Sequence, residues 1–196
     1  MIIKHRTSIW QWAGSRVFWL LGLGLMAMLS LLFWRNLQQN LPPEDLPAVL
    51  SCDAEKVVDE IQFAATDGVR LKGGNTQDGE KSRSGRFSSR LSPESNFGIS
   101  YLQENLQAGD RYAISIWRYK EPYVDGKLIV QLVGNKEKYI AVDVPSEVEP
   151  SGWEKLETQI RIPFDYQHGA LKIYPYGGSL GNAWFDDLRI ERFAQE

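Results

Sequence analysis

The sequence predicts an all-β fold: an antiparallel two-sheet jelly-roll β-sandwich, preceded by one transmembrane α-helix. Three observations carry this. A single uncharged apolar run stands near the N-terminus, at residues 17–34. Beyond residue 51, apolar residues recur at every second position in short runs separated by Gly, Asn, Asp and Pro. There are about nine such runs in about 145 residues, a density that suits two packed antiparallel sheets.

The chain divides into four segments: a cytoplasmic N-terminal segment at 1–16, the transmembrane helix at 17–34, a proline-bearing linker at 35–50, and the sandwich domain at 51–196. The run VFWLLGLGLMAMLSLLFW spans roughly 27 Å as a helix, at about 1.5 Å per residue, enough for a hydrocarbon core. Gly22 and Gly24 are common residues in membrane helices, and Trp19 and Trp34 bracket the span as interfacial aromatics do. Lys4, Arg6 and Arg16 precede it and only Arg35 follows closely, so the positive-inside rule keeps the N-terminus in the cytoplasm. The domain is then periplasmic or extracellular. A cleaved signal peptide is the competing reading. The run is long for one, and no small-x-small site follows it. Pro42, Pro43 and Pro47 favour an extended linker acting as a spacer.

Charge follows the same division. Residues 1–40 carry four bases and no acid, whereas the remainder carries 18 bases against 25 acids. An acidic domain is a poor partner for nucleic acid, whose binding rests on neutralising phosphates. Cys52 is the only cysteine, and His5 and His168 are the only histidines. An intrachain disulfide and a Cys/His zinc site are therefore excluded. Cys52 reads as a small buried hydrophobe at a strand start. It lies too far beyond the apolar run for a lipoprotein cysteine.

The strands are expected at 57–63, 87–91, 97–103, 112–119, 128–133, 139–144, 153–162, 170–176 and 184–192. The clearest alternation places Tyr112, Ile114, Ile116 and Arg118 on one face, and Leu156, Thr158, Ile160 and Ile162 on another. Leu188 and Ile190 share a buried face, leaving Arg189 and Glu191 exposed. By the same alternation Asp186, in phase with Leu188, points inward. Gly73-Gly74-Asn75 reads as a loop, without the Lys-Ser/Thr of a phosphate-binding one.

Five segments occur in order: Asp53-Ala54-Glu55, Ser84-Gly85-Arg86-Phe87-Ser88, the stretch from Leu106 to Trp117, Gly152-Trp153-Glu154-Lys155-Leu156, and Ala183-Trp184-Phe185-Asp186-Asp187-Leu188-Arg189-Ile190. Together they cover most of residues 51–193. This series resembles the galactose-binding-domain-like jelly rolls, especially the carbohydrate-binding modules common on secreted bacterial glycoside hydrolases. The resemblance implies a structural Ca2+ where first and last strands meet, with Glu55 and Asp186 as ligands beside loop carbonyls. The alternative is that Asp186 accepts backbone N–H bonds while Arg86 or Lys56 pairs with Glu55.

The resemblance also implies a non-catalytic sugar-binding role. Adjacent strand residues point to opposite faces, so Asp186 and Asp187 are not expected to act as a glycosidase pair. Sugar recognition needs exposed rings flanked by polar groups. Trp117, Tyr119, Tyr123 and Tyr176 are the candidates, among rings that also include Trp153, Tyr174 and Trp184. The expected function is a membrane-anchored, extracytoplasmic module that binds polysaccharide or glycan. The alternative is an envelope structural or assembly protein whose sandwich binds a protein partner.

Overall fold

The computed structural model describes residues 49–178 and 180–193, so the expected membrane helix and most of the linker lie outside the described residues. Among those described, no helix is long and apolar enough to cross a membrane. The described chain is all-β, with fourteen strands and two 3-10 turns.

The larger sheet has seven strands. Its central strand is β8 (Arg111–Lys120). On one side β8 pairs with β12 (Glu154–Arg161), which pairs with β11 (Glu147–Val148). On the other side β8 pairs with the long closing strand β14 (Ala183–Phe193). The far edge of β14 is shared. Its first half pairs with β6 (Ser88–Leu91), which pairs with β5 (Gln77–Asp78). Its second half pairs with β1 (Val49–Cys52).

The second sheet runs β10 (Glu137–Val142), β9 (Lys127–Val133), β13 (Ala170–Tyr176), β7 (Tyr101–Gln103). A three-stranded sheet is formed by β2 (Val57–Val58), β3 (Gln62–Ala64) and β4 (Arg70–Lys72). The bridge between Lys72 and Ser100 joins β4 to the segment entering β7, so these two sheets present one continuous surface.

Period-2 alternation builds the core. Tyr112, Ile114 and Ile116 of β8, Leu156 and Ile160 of β12, and Phe185, Leu188 and Ile190 of β14 face Leu128, Val130 and Leu132 of β9 and Leu171 and Ile173 of β13. Arg118 shares the inward face, as expected, and is buried. A buried guanidinium needs acceptors. It donates to the Gly126 carbonyl, to the Asp143 carbonyl at 3.2 Å, and to the Glu154 carboxylate beside it on β12. Gly126 is required there, because a Cβ would stand 2.9 Å from Arg118 Cδ.

Besides short strands that were not expected (β4, β5, β11) and a strand at 97–103 reduced to Tyr101–Gln103, the structure departs from expectation in three places. The strand expected at 57–63 is a hairpin: Asp59 and Glu60 adopt positive φ (54° and 60°) and turn the chain between β2 and β3. Short polar side chains tolerate that conformation best. The linker ends sooner than expected, because Val49 and Leu50 already pair with β14 and Leu50 is fully buried. The strand expected at 184–192 is not regular. Its register against β8 shifts between Asp186 and Arg189, and Asp187 has φ 50°. This is a β-bulge, whose extra residue reverses the phase of the residues beyond it. Asp186 therefore faces the side of Trp117, its partner on β8, and not the side of Leu188.

Candidate functional site

The outer faces of the two main sheets carry different chemistry. On the larger sheet, Trp184 stands opposite Tyr119 and Asp186 opposite Trp117. Trp117, Trp153 and Trp184 form a second buried cluster against which Tyr119 packs, its ring centroid 5.9 Å from Trp153 and 6.0 Å from Trp184. The loop between β5 and β6 covers this cluster. Arg83 lies 3.7 Å over the Trp117 ring, and Lys81 lies 4.7 Å over Tyr119. Cation–π contact and the alkyl stems of these residues shield the rings from water.

Four carboxylates hold that loop down. At the bulge, where β14 changes partner from β6 to β1, Asp186 accepts N–H bonds from Arg83 (2.8 Å), Ser84 (3.2 Å) and Asp187 (2.8 Å). Asp187 takes the Arg83 guanidinium at 2.7 Å and the Ser84 hydroxyl at 2.8 Å. Glu55, three residues beyond β1, accepts from the backbone of Arg86 (2.6 Å) and Phe87 (2.8 Å). Arg83 also reaches Glu149 at 2.8 Å. The bulge thus turns two adjacent acids toward one loop, which strict alternation forbids. They bond to the loop and do not face each other across a cleft.

Burial, with the charge of Asp187 added, pushes the Asp186 carboxyl up to about 7, against the three N–H bonds that favour its charged form. Burial likewise pushes the Cys52 thiol up to about 11, so this buried cysteine is an unreactive core residue.

Glu55 and Asp186, expected from the resemblance to hold Ca2+, thus serve the same loop by different means. N–H groups point at both oxygens of Asp186 and at Oε1 of Glu55, and calcium requires several converging oxygens. Among the described residues no three His, Cys, Asp or Glu side chains converge.

The smaller sheet leaves its outer face open. There β13 presents Lys172, Tyr174 and Tyr176; Gln131 of β9, Tyr139 of β10 and Leu102 of β7 share that face by register. A groove of about 450 Å³ crosses it, running from Gln131 and Tyr174 past Lys172, Leu102 and Ser100 to Lys72, Arg70 and Gln62. Phe97, 57% exposed, stands over one side. Its ring packs at 5.7 Å from Tyr174, edge-on at 66°, and at 5.6 Å from Tyr176. Gln131 is fixed by its amide donating to the Tyr139 hydroxyl at 2.8 Å, and that hydroxyl donates to Glu137 at 2.6 Å. Burial raises the Tyr174 phenol, and the bond to Glu137 raises that of Tyr139, so both stay neutral well above physiological pH.

The four rings singled out from sequence separate. Tyr176 adjoins the groove through Phe97. Trp117 and Tyr119 belong to the covered cluster on the other sheet. Tyr123, 92% exposed at φ 67°, stands in the turn after β8. The groove residues that sequence reasoning passed over are Phe97, Gln131, Lys172, Lys72 and Arg70, while Tyr174 stood among the available rings but not among the four candidates. The alternation Lys172-Tyr174-Tyr176 was a readable signal for one wall. Nothing in sequence announced that β4 joins β7.

This architecture is an antiparallel β-sandwich. The domain is similar to the CBM22-1 xylan-binding domain of Paenibacillus barcinonensis Xyn10C, with TM-score 0.51 and 18% identity over 75% of this chain and 95% of that one. It is also similar to the C-terminal family 22 carbohydrate binding module of Clostridium thermocellum Xyn10B, with TM-score 0.50 and 16% identity over 72% of this chain and 90% of that one. At such identities the likeness establishes the fold. No family model matches the sequence, and no curated protein matches it.

Proposed function

We propose that this protein is a non-catalytic polysaccharide-binding module, held at a membrane by residues 17–34 and displayed outside the cytoplasm. The observation that carries the reading is the groove on the smaller sheet. An exposed ring, Phe97, flanked by Tyr174 and bordered by amide and ammonium groups, combines an apolar surface for sugar C–H faces with donors and acceptors for hydroxyls. Arg70, Lys72, Phe97, Leu102 and Lys172 of its lining are exposed, as access by a polymer requires. The architecture shared with xylan-binding domains supports the same reading, and the uncharged N-terminal run with its preceding bases supports the anchor.

The test is equilibrium binding of the full chain, in mild detergent, to a panel of soluble polysaccharides. Saturable binding that F97A and Y174A abolish and Y123A leaves intact is the expected result. Binding to nothing by a folded protein, or binding insensitive to both groove variants, would sink the reading.

A further inference from the structure

The groove's charge is opposite to that of the domain around it. From residue 41 onward acids outnumber bases, 25 to 18. Yet Arg70, Lys72 and Lys172 line the groove, and no carboxylate does. Arg70 is partly spent, since it pairs with Asp59 at 2.9 Å, although it is 58% exposed. Lys72 and Lys172 are exposed, and among the described residues neither forms an ion pair. Glu137, the acid beside Tyr139, is engaged by that hydroxyl.

Position makes the two lysines act together. Lys72 bridges to Ser100, and Lys172 stands opposite Leu102, two residues further along the same strand. Their backbones are thus on the order of 10 Å apart across β7, at about 4.8 Å per strand. That is within a Debye length at moderate salt, so one bound chain feels both charges. A neutral glycan gains hydrogen bonds from ammonium groups but no net charge pairing. Acidic groups recurring along a polymer gain both.

Resting on the polysaccharide reading, we infer that the groove selects acidic polysaccharides, chains bearing uronate carboxylates or sulfate esters, over neutral ones. Phe97 and Tyr174 carry the rings, while Lys72 and Lys172 carry the anions.

The test uses the full chain in mild detergent with three probes, polygalacturonate, dextran sulfate and neutral xylan, at about 0.05 M and about 0.5 M salt. At low salt, polygalacturonate or dextran sulfate should bind about tenfold more tightly than xylan, and most of that margin should vanish at high salt. K72Q/K172Q should erase the margin by weakening both anionic probes far more than xylan, which loses only hydrogen bonds that the amides partly replace, and K72R/K172R should keep it. Which anionic probe binds more tightly tells carboxylate from sulfate. Equal affinity for xylan and both anionic probes overturns the selectivity while the polysaccharide reading stands. Failure of all three probes overturns both. Inorganic polyphosphate bound as tightly as polygalacturonate, and insensitive to F97A, would reduce the effect to unspecific charge and overturn the inference as well.

Discussion

Asp186 makes stability depend on pH in a direction opposite to that of most carboxylates. Its side chain is fully buried, and its carboxyl is pushed from the ordinary value of 3.8 up to about 7. A raised value means that the folded state holds the proton more tightly than the unfolded chain. The stability linked to that proton is complete below about pH 4 and is lost as pH rises through 7. At about 1.4 kcal/mol per pH unit, the interval is worth about 4 kcal/mol at most. For a chain of this size that is a fall in Tm on the order of 10 °C between pH 4.5 and 7.5. Glu149 and Glu121 do not confuse the window. Hydrogen bonds from Arg83 and from Asn182 hold them below the usual carboxylate range, so they titrate at lower pH. The assay is thermal and urea unfolding of the wild type and Asp186→Asn across that range. The amide removes the titration and leaves one N–H donor facing another, so D186N should lose about 1–3 kcal/mol at pH 4.5. Its curve should be nearly flat and approach the wild type by pH 7.5. A wild-type curve that is flat or rising over this range, or a D186N curve with the wild-type slope, would refute the assignment.

Other parts of the fold give three more tests. Chelator should leave Tm unchanged, because both oxygens of Asp186 and Oε1 of Glu55 accept N–H bonds; a fall of several degrees, reversed by added Ca2+, would show an ion at the clamp. Arg118→Ala should cost about 3–5 kcal/mol in urea unfolding, since it strands the Glu154 carboxylate and two carbonyls, and R118A/E154A should recover part of that. A cost below about 1 kcal/mol would mean that water replaces the guanidinium freely. Gly85→Ala should destabilise by more than about 1 kcal/mol, because Gly85 has φ 57° and a Cβ there would collide with Glu55 Oε1; unchanged stability would mean that Glu55 does not hold the loop.

The sandwich was legible because its signal is local. Alternation in 112–118 and 156–162 put the right residues inside, including a buried arginine that alternation alone would not recommend. The failures lie where a local rule is broken by something distant. Asp59 and Glu60 read as part of a strand, and only the pairing of β2 with β3 shows them as a turn. Val49 and Leu50 read as the end of a spacer because the strand that pairs with them is about 140 residues away. Asp186 and Asp187 read as pointing apart because nothing in Trp-Phe-Asp-Asp-Leu marks a bulge. The bulge exists because β14 exchanges one neighbour for another at that point, a property of the sheet and not of the strand.

That exchange also explains why counting rings did not find the groove. Both sheets carry aromatics on their outer faces, and by sequence the richer face is that of β8 and β14, with Trp117, Tyr119 and Trp184. The gap between β6 and β1 leaves the edge of β14 without a strand partner where Asp186 and Asp187 sit, and their carboxylates there need donors. They find them in residues 83 and 84, while Glu55 takes 86 and 87. Once pinned, the loop has no course except across the tryptophans, so Lys81 and Arg83 close over them. On the smaller sheet no bulge interrupts the pairing of β13 with β9. Among the described residues no loop is drawn across the groove, which Phe97 and Tyr174 line. Which aromatic face is free thus follows from where the acids are. Releasing the clamp by D187A/E149A, which removes both carboxylates that hold the Arg83 guanidinium, should increase quenching of tryptophan fluorescence by acrylamide without changing polysaccharide binding at the groove. A loss of binding in step with the quenching would place the ligand on the tryptophans instead.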